Sequence, residues 1–393
     1  MRRVNVIGVG MTKFTSPKAL RPYTEMGKEA LLDAFKDAGI EYREIEHAYC
    51  GWVYADSCAG QKVLYEVGMT GIPIFNVNNN CSTGSSALFL ARQAVATGVV
   101  ECALALGFEQ MTPGALGIVF TDRPVPMQTF FEKLFEVIPS IEGVAMASML
   151  FGGAGIEHQQ KYGTKKETFA KITVKARKHA EHNERAIFRN LVTLEEVLAS
   201  PMQAPPLTRL QCCPPTCGAA AAIVCSDEFA KKHNISKPIY IAAQSMYTDF
   251  PSAFESRSPM SIIGYDMTAA AAKEVYEKSG IGPEEVNVVE LHDCFTCNEL
   301  VTYEALGLTP EGTAEKFIED GDNTYGGRIV TNPSGGLLSK GHPLGATGLA
   351  QCAELVWQLR GEAGVRQVEG ARIGLQQNIG LGGACVVTMY RKD

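Results

Sequence analysis

Apolar positions along this chain follow two patterns: short runs of strand length, and longer stretches at helical spacing that stop on glycine. Val4–Val9 reads as a strand ending in glycines, and Tyr23–Ala38 as a helix stopped by Gly39. His47–Tyr54 and Ile74–Val77 are further strand patterns. Glu101–Gly107 (ECALALG) and Gly218–Cys225 (GAAAAIVC) are near-continuous apolar runs, as in strands buried on both faces. The second half repeats this order. It has a strand at Ile239–Gln244, a helix at Met267–Ser279 and a strand at Val286–Leu291. A helix at Leu344–Arg360 and strands at Arg372–Gln376 and Ala384–Tyr390 follow. Between Thr112 and Pro214 the pattern changes. Prolines and methionines gather there, two helices stand out (Gly155–Tyr162 and Lys166–His182), and strand signals are weak. Such a segment reads as a large insertion over a site rather than as a core layer.

The most informative stretch is Phe75–Gly98, FNVNNNCSTGSSALFLARQAVATG. A strand runs into a turn of three asparagines, Cys81 follows, and Ala87–Val95 is apolar on most of its helical wheel, which predicts a buried helix. Two readings of Cys81 stand side by side. The free N–H groups and positive dipole end of a helix favour a thiolate there. Unpaired cysteines are also common as small, inert packing groups. The lead-in to Leu344–Arg360 has a similar form. Setting Cys81 against His342 aligns Gly84 with Gly345, Leu88 with Leu349 and Val95 with Val356. With the repeated order of elements, this predicts a duplicated unit: two similar sheets with their central helices between them, and Cys81 and His342 facing one cleft. Taken alone, His342 would read as a core histidine capping its own turn.

Composition narrows the function classes. A chain of 393 residues with 46% hydrophobic and 20% charged content is ordinary for a globular protein of two or three domains. A net charge of −7 and the absence of basic runs argue against nucleic acid and anionic membrane as partners. No apolar stretch is long enough to span a bilayer, and MRRVNVIGVG passes from two arginines straight into a strand without a signal-peptide core. The twelve cysteines are scattered, many inside apolar segments, which suits a reducing compartment. Cys212, Cys213 and Cys217 carry prolines between them and lack a complementary pair, so no metal is expected. Cys294 and Cys297 form a CxxC with no second feature to support a redox role.

Four motifs in order, NNNCSTGSSALFLARQ, ELHDCFTCNEL, NPSGGLLSKGHPLGATGLAQ and QNIGLGGACVVTMY, resemble the thiolase superfamily, and within it the thiolase domain of the sterol carrier protein x type. The resemblance covers essentially the whole chain, and HDCF with GHPLGATG is its most specific part. It implies an α/β thiolase fold: duplicated βαβαβαββ halves forming a five-layered αβαβα core, with an inserted loop domain. Residues 1–112 with 213–232 would form the N-terminal half, 113–212 the loop domain over the CoA and acyl site, and 233–393 the C-terminal half. It also implies degradative cleavage of a 3-ketoacyl-CoA in lipid or sterol side-chain β-oxidation, with coenzyme A as co-substrate, no permanently bound cofactor, and a homodimer.

By the same resemblance Cys81 is the nucleophile and His342 its activating base. Many thiolases carry a second catalytic cysteine in a Cys-x-Gly motif, but the aligned triplet here is Asn378-Ile379-Gly380, and Cys294 of HDCF takes that part. His292 joins His342 in one oxyanion hole, and the backbone N–H groups of Cys81 and Gly380 form the other. Glu290, Asp293 and Glu299 read as structural groups around the motif. Phe151 is a candidate for the acyl pocket, whereas His158 reads as an exposed helix residue. The family's lipid-transfer module and C-terminal peroxisomal signal do not follow the last strand, so an excised domain or a stand-alone relative is expected. Peroxisomal location comes from the resemblance alone, with mitochondrion or bacterial cytoplasm as alternatives. The rival functions are a retro-aldolase on the same fold and a non-catalytic acyl-CoA- or lipid-binding partner. The presence of Cys81, His292, Cys294 and His342 together argues against both.

Overall fold

A computed structural model describes residues 2–112 and 120–393; the start of the predicted insertion, 113–119, lies outside the described residues. Ten strands form one sheet: β1 (Val4–Met11), β2 (His47–Gly51), β3 (Ile74–Val77), β4 (Cys102–Glu109), β5 (Gly218–Ser226), β6 (Ile239–Tyr247), β7 (Val288–Glu290), β8 (Val330–Thr331), β9 (Ile373–Gly380) and β10 (Ala384–Arg391). Their order is β8-β7-β9-β10-β6-β1-β5-β4-β2-β3. The sheet is two halves joined where Asn5 and Val6 of β1 pair with Tyr240 and Ile239 of β6. Within each half the order is third, second, fourth, fifth, first. The first three neighbours run parallel and the last two joins are antiparallel. The duplication suggested by the sequence pattern is therefore present in the topology.

Tyr23–Ala38 packs its apolar stripe on the outer face of the N-terminal half, and Tyr265–Ser279 does the same for the C-terminal half. The first central helix (Thr83–Ala96) and the second (Thr347–Arg360) lie between the half-sheets in one apolar cluster. Leu88 and Val95 meet Leu349 and Val356 there, with Ala105 and Val224 from one half and Ile241 and Tyr390 from the other. This gives five layers. The helices cross at backbone distance: a Cβ on Gly84 would lie 2.7 Å from the Gly345 carbonyl oxygen, and one on Gly348 would lie 2.3 Å from the Ser85 nitrogen.

The helix bounds correct the repeat register. The two central helices begin on Thr83-Gly84 and Thr347-Gly348 and end on Ala96 and Arg360. The partner of Gly84 is thus Gly348, about one helical turn along from the alignment on Cys81 and His342. His342 does not begin its helix; Pro343 opens a turn, its carbonyl accepting from the N–H groups of Ala346 and Thr347 ahead of the helix. The second strand likewise stops at Gly51 rather than Tyr54, because the N–H groups of Val53 and Tyr54 turn to the Glu109 carboxylate at 3.1 and 2.8 Å. Nine helices among the described residues carried too weak a pattern to predict, among them Ala59–Leu64, Gln128–Phe135, Leu194–Ala199 and Thr296–Ala305. The last is buried along its whole length, so no polar face marks its period. The predicted helix from Gly155 begins nine residues earlier, at Met146. No helix among the described residues is long and apolar enough to cross a membrane.

Candidate active site

A cavity of about 800 Å³ opens where the two central helices begin, lined by Cys81, His292, Cys294 and His342 with Phe151 and Arg177 among others. Four sequence-predicted catalytic side chains thus reach one space, although they come from separate parts of the chain. Donor atoms of Cys81, His292 and His342 all lie within 4.8 Å of one another. The two imidazoles meet edge to face, with ring centroids 4.9 Å apart.

Cys81 stands on a tied turn. Asn80 adopts a left-handed backbone (φ 51°), which asparagine tolerates better than most residues. Its amide donates to the Leu381 carbonyl at 3.1 Å, the Asn79 N–H donates to Thr83 Oγ1 at 2.9 Å, and Thr83 Oγ1 donates to the Asn80 carbonyl at 2.6 Å. Gly380 sits behind this turn: a Cβ there would be 2.1 Å from the Asn79 carbonyl oxygen, so the glycine is required by space. Its neighbours Ile379 and Leu381 line the cavity.

The electrostatics differ from the thiolate expected at a helix start. Burial, and then the Glu109 carboxylate, push the Cys81 thiol up to about 12, against the pull of its own N–H and that of Leu381. Burial dominates because the protein packed around this half-buried residue disfavours the charged form. Cys81 therefore rests as a thiol. Burial, and then Lys340, lower His342 to about 3, so it rests as neutral imidazole. Burial also pushes Cys294 well above the ordinary thiol range, with Cys213 and Cys81 adding to it.

His342 is aimed by its own turn. Its Nδ1 lies 2.7 Å from Thr347 Oγ1, and that hydroxyl donates to the Pro343 carbonyl at 3.0 Å. The hydroxyl's single proton is thereby used, so it accepts from His342 Nδ1–H and leaves a lone pair on Nε2. Among the described residues, Nε2 has no hydrogen-bond partner. The residues flanking HDCF hold this loop. Asp293 accepts from the Leu337 and Leu338 N–H groups at 2.6 and 3.3 Å, and Glu290 takes Ser334 and, at 3.2 Å, Lys340. Glu299 pairs with Lys175. Cys81, His292 and His342 also have a spacing that three metal ligands use, which would require a lone pair from each group.

Sequence reasoning did not single out Glu109. Burial raises its carboxyl to about 7, held back by N–H groups of Tyr54, Gly345 and Val53. It joins the end of β4 to the lead-in of the second central helix, and its only signal in the sequence was a charge closing an apolar strand. Phe151 stacks on Phe295 with centroids 4.8 Å apart, on the cavity wall. His158 corrects an expectation. It is fully buried, with Nδ1 2.7 Å from Thr164 Oγ1 and Nε2 3.2 Å from Glu304, because its helix is covered on nearly every side.

The family models decide the assignment. Thiolase, N-terminal domain, matches residues 4–228, and Thiolase C-terminal domain-like matches residues 253–390. The chain belongs to the thiolase family. This thiolase chain is 55% identical over 393 residues to sterol carrier protein 2 of Oryctolagus cuniculus, covering 99% of the chain and 72% of the relative. Among solved structures it resembles an Ltp2-ChsH2(DUF35) aldolase (TM-score 0.85, 24% identity, 100% of this chain and 98% of that one). It also resembles a human mitochondrial 3-ketoacyl-CoA thiolase in complex with CoA (TM-score 0.73, 18% identity, 100% and 98%).

Proposed function

We propose that this thiolase is a degradative 3-ketoacyl-CoA thiolase of the sterol carrier protein type. The observation that carries the reading is the convergence of Cys81, His292, Cys294 and His342 on one cavity. Cys81 gives its proton to His342 Nε2 as its sulfur attacks the 3-keto carbon. The bond between C2 and C3 then breaks, leaving an acyl-cysteine and the enolate of acetyl-CoA or propionyl-CoA. His292 and His342 face the enolate oxygen, and the N–H groups of Cys81 and Gly380 face the oxygen of the acyl group. Cys294, a thiol at rest, protonates the enolate carbon. The resulting thiolate then takes the proton of incoming CoA, whose sulfur attacks the acyl-cysteine and carries the chain away as acyl-CoA, while the departing Cys81 sulfur regains its proton from His342. Covalent catalysis in this form divides one hard carbon–carbon cleavage into two easier transfers.

Incubation with acetoacetyl-CoA or a longer 3-ketoacyl-CoA, followed by intact-protein mass spectrometry, tests the reading: an acyl adduct on Cys81 is expected. No adduct together with no CoA-dependent cleavage would leave a binding role. The likeness to an aldolase structure makes retro-aldol cleavage the second reading; that reaction needs no acyl-cysteine, so the same measurement separates the two. For Cys294→Ala we expect the adduct to form while turnover falls about 100-fold or more, the usual range for a lost acid–base group. Full turnover in that variant would remove Cys294 from the mechanism.

Residues 113–212 are read as the unit covering the CoA and acyl site, since Met127, Phe151, Arg177, Asn190 and Arg209 of that span line the cavity. Trypsin nicking within the span that left CoA-ester affinity intact would count against this. A homodimer joined along β3 belongs to the same reading. Among the described residues that strand ends the sheet and pairs with β2 alone, and it leaves Phe75 44% exposed while stacked on Tyr49. An unpaired edge with exposed aromatics invites a second copy. Sedimentation equilibrium should return twice the chain mass, and a monomer at micromolar concentration would refute it.

A further inference from the structure

Asn378 occupies the place where many thiolases carry their second cysteine, yet its side chain is fully buried and bonded in a chain of fixed direction. The chain starts from a backbone carbonyl, a group that can only accept. The Gly348 carbonyl accepts from Gln376 Nε2 at 2.6 Å, which fixes that amide, and Tyr390 O–H donates to the opposite atom, Gln376 Oε1, at 2.5 Å. Gln376 Nε2 also donates to Ser85 Oγ at 2.9 Å. Ser85 therefore spends its one proton on Asn378 Oδ1, at 2.9 Å. Asn378 Nδ2 is left facing His292 Nδ1 at 2.9 Å, as a donor. His292 is held from its backbone as well, its N–H donating to Gln377 Oε1 at 3.0 Å and its carbonyl accepting from Asn298.

We infer that Asn378 is a positioning residue that fixes His292 as the Nε2–H tautomer, the opposite of His342. One imidazole then presents N–H to the reacting oxygen while the other presents a lone pair to Cys81. The two rings meet edge to face in one site, and without an external constraint either could take either tautomer. The constraint on His342 comes from Thr347 and Pro343 of its own turn; the constraint on His292 comes through Asn378 from the crossing of the central helices, at Ser85 and Gly348. A protonated Nε2 offers no lone pair, so the trio with Cys81 serves hydrogen bonding rather than metal ligation.

The inference deepens the thiolase reading and rests on it for the consequence in rate, but not for the tautomer. Proton–nitrogen correlation spectra of the full chain with ¹⁵N-labelled histidine read the tautomer directly, with His292 assigned by its loss in His292→Gln. The wild-type protein should show protonated Nε2 and bare Nδ1 on His292, and the reverse on His342. In Asn378→Asp the carboxylate accepts where the amide donated, so a proton should appear on His292 Nδ1. With 3-ketoacyl-CoA, kcat should fall about 100-fold, the scale of one lost oxyanion donor, while KM stays within a few-fold. Asn378→Ala, which removes the bond without forcing the proton, should give mixed tautomers and a smaller loss. Nδ1–H on His292 in the wild-type protein would overturn the inference, and that result needs no variant to fold. A tautomer switched by Asn378→Asp with kcat unchanged would overturn the functional part. A wild-type protein with the stated tautomers but no acyl adduct would instead refute the thiolase reading.

Discussion

Cys81→Ala should remove the acyl adduct altogether and lower CoA-dependent cleavage by on the order of 10⁴-fold or more, as loss of a covalent nucleophile does. The change deletes one sulfur that faces the cavity, on a turn held by Asn79, Asn80 and Thr83 through bonds that do not pass through the thiol. The melting temperature should therefore stay near that of the parent, and calorimetry should still detect binding of a CoA ester. Unaltered folding and binding with lost chemistry would place the defect at the bond-forming step. A variant that keeps more than a hundredth of the parent rate would show that the carbon–carbon cleavage does not pass through this sulfur.

His342→Gln should lower the acylation rate by about 10²–10⁴-fold, the range of a lost general base, and should also change how the rate depends on pH. The thiol of Cys81 is pushed up to about 12, so at neutral pH almost none is thiolate without help. In the variant, deprotonation falls to solvent, and the rate should climb about tenfold per pH unit as the thiolate fraction rises. The parent should behave differently. Burial lowers His342 to about 3, so the base stays neutral and competent from neutral pH down to weakly acidic pH, and is lost only as pH falls towards that value. No limb near the ordinary histidine value of about 6.5 is expected in kcat/KM of the parent. A limb at that position that vanishes in His342→Gln would show that the imidazole is solvated in the working enzyme.

Much of this was legible in sequence because it depends on local chemistry. Buried strands such as β4 and β5 are apolar at nearly every position. Helices such as Tyr23–Ala38 end on glycines that take the left-handed backbone. The resemblance of four motifs to thiolases pointed to Cys81, His292, Cys294 and His342, and all four line the cavity. The failures share a cause. His158 stands in a polar run yet is covered by Thr164 and Glu304, and Thr296–Ala305 is buried along its whole length, so in neither case does the local pattern show the burial. The repeat was placed one turn out because glycines recur on both sides of the helix start, and only the bounds of the two folded helices, Thr83–Ala96 and Thr347–Arg360, select between them.

The sequence by itself determined the duplicated order of strands and helices and pointed to the side chains that meet at the cavity, since apolar period, glycine stops and motif chemistry are carried by neighbours in the chain. Tertiary structure alone decided the states of those groups. Burial turned the expected thiolate of Cys81 into a thiol and kept both histidines neutral. The hydrogen-bond chain from Gly348 through Gln376, Ser85 and Asn378 set the direction in which His292 presents its proton. Desolvation and hydrogen-bond polarity both depend on groups remote in sequence that meet only when the two central helices cross.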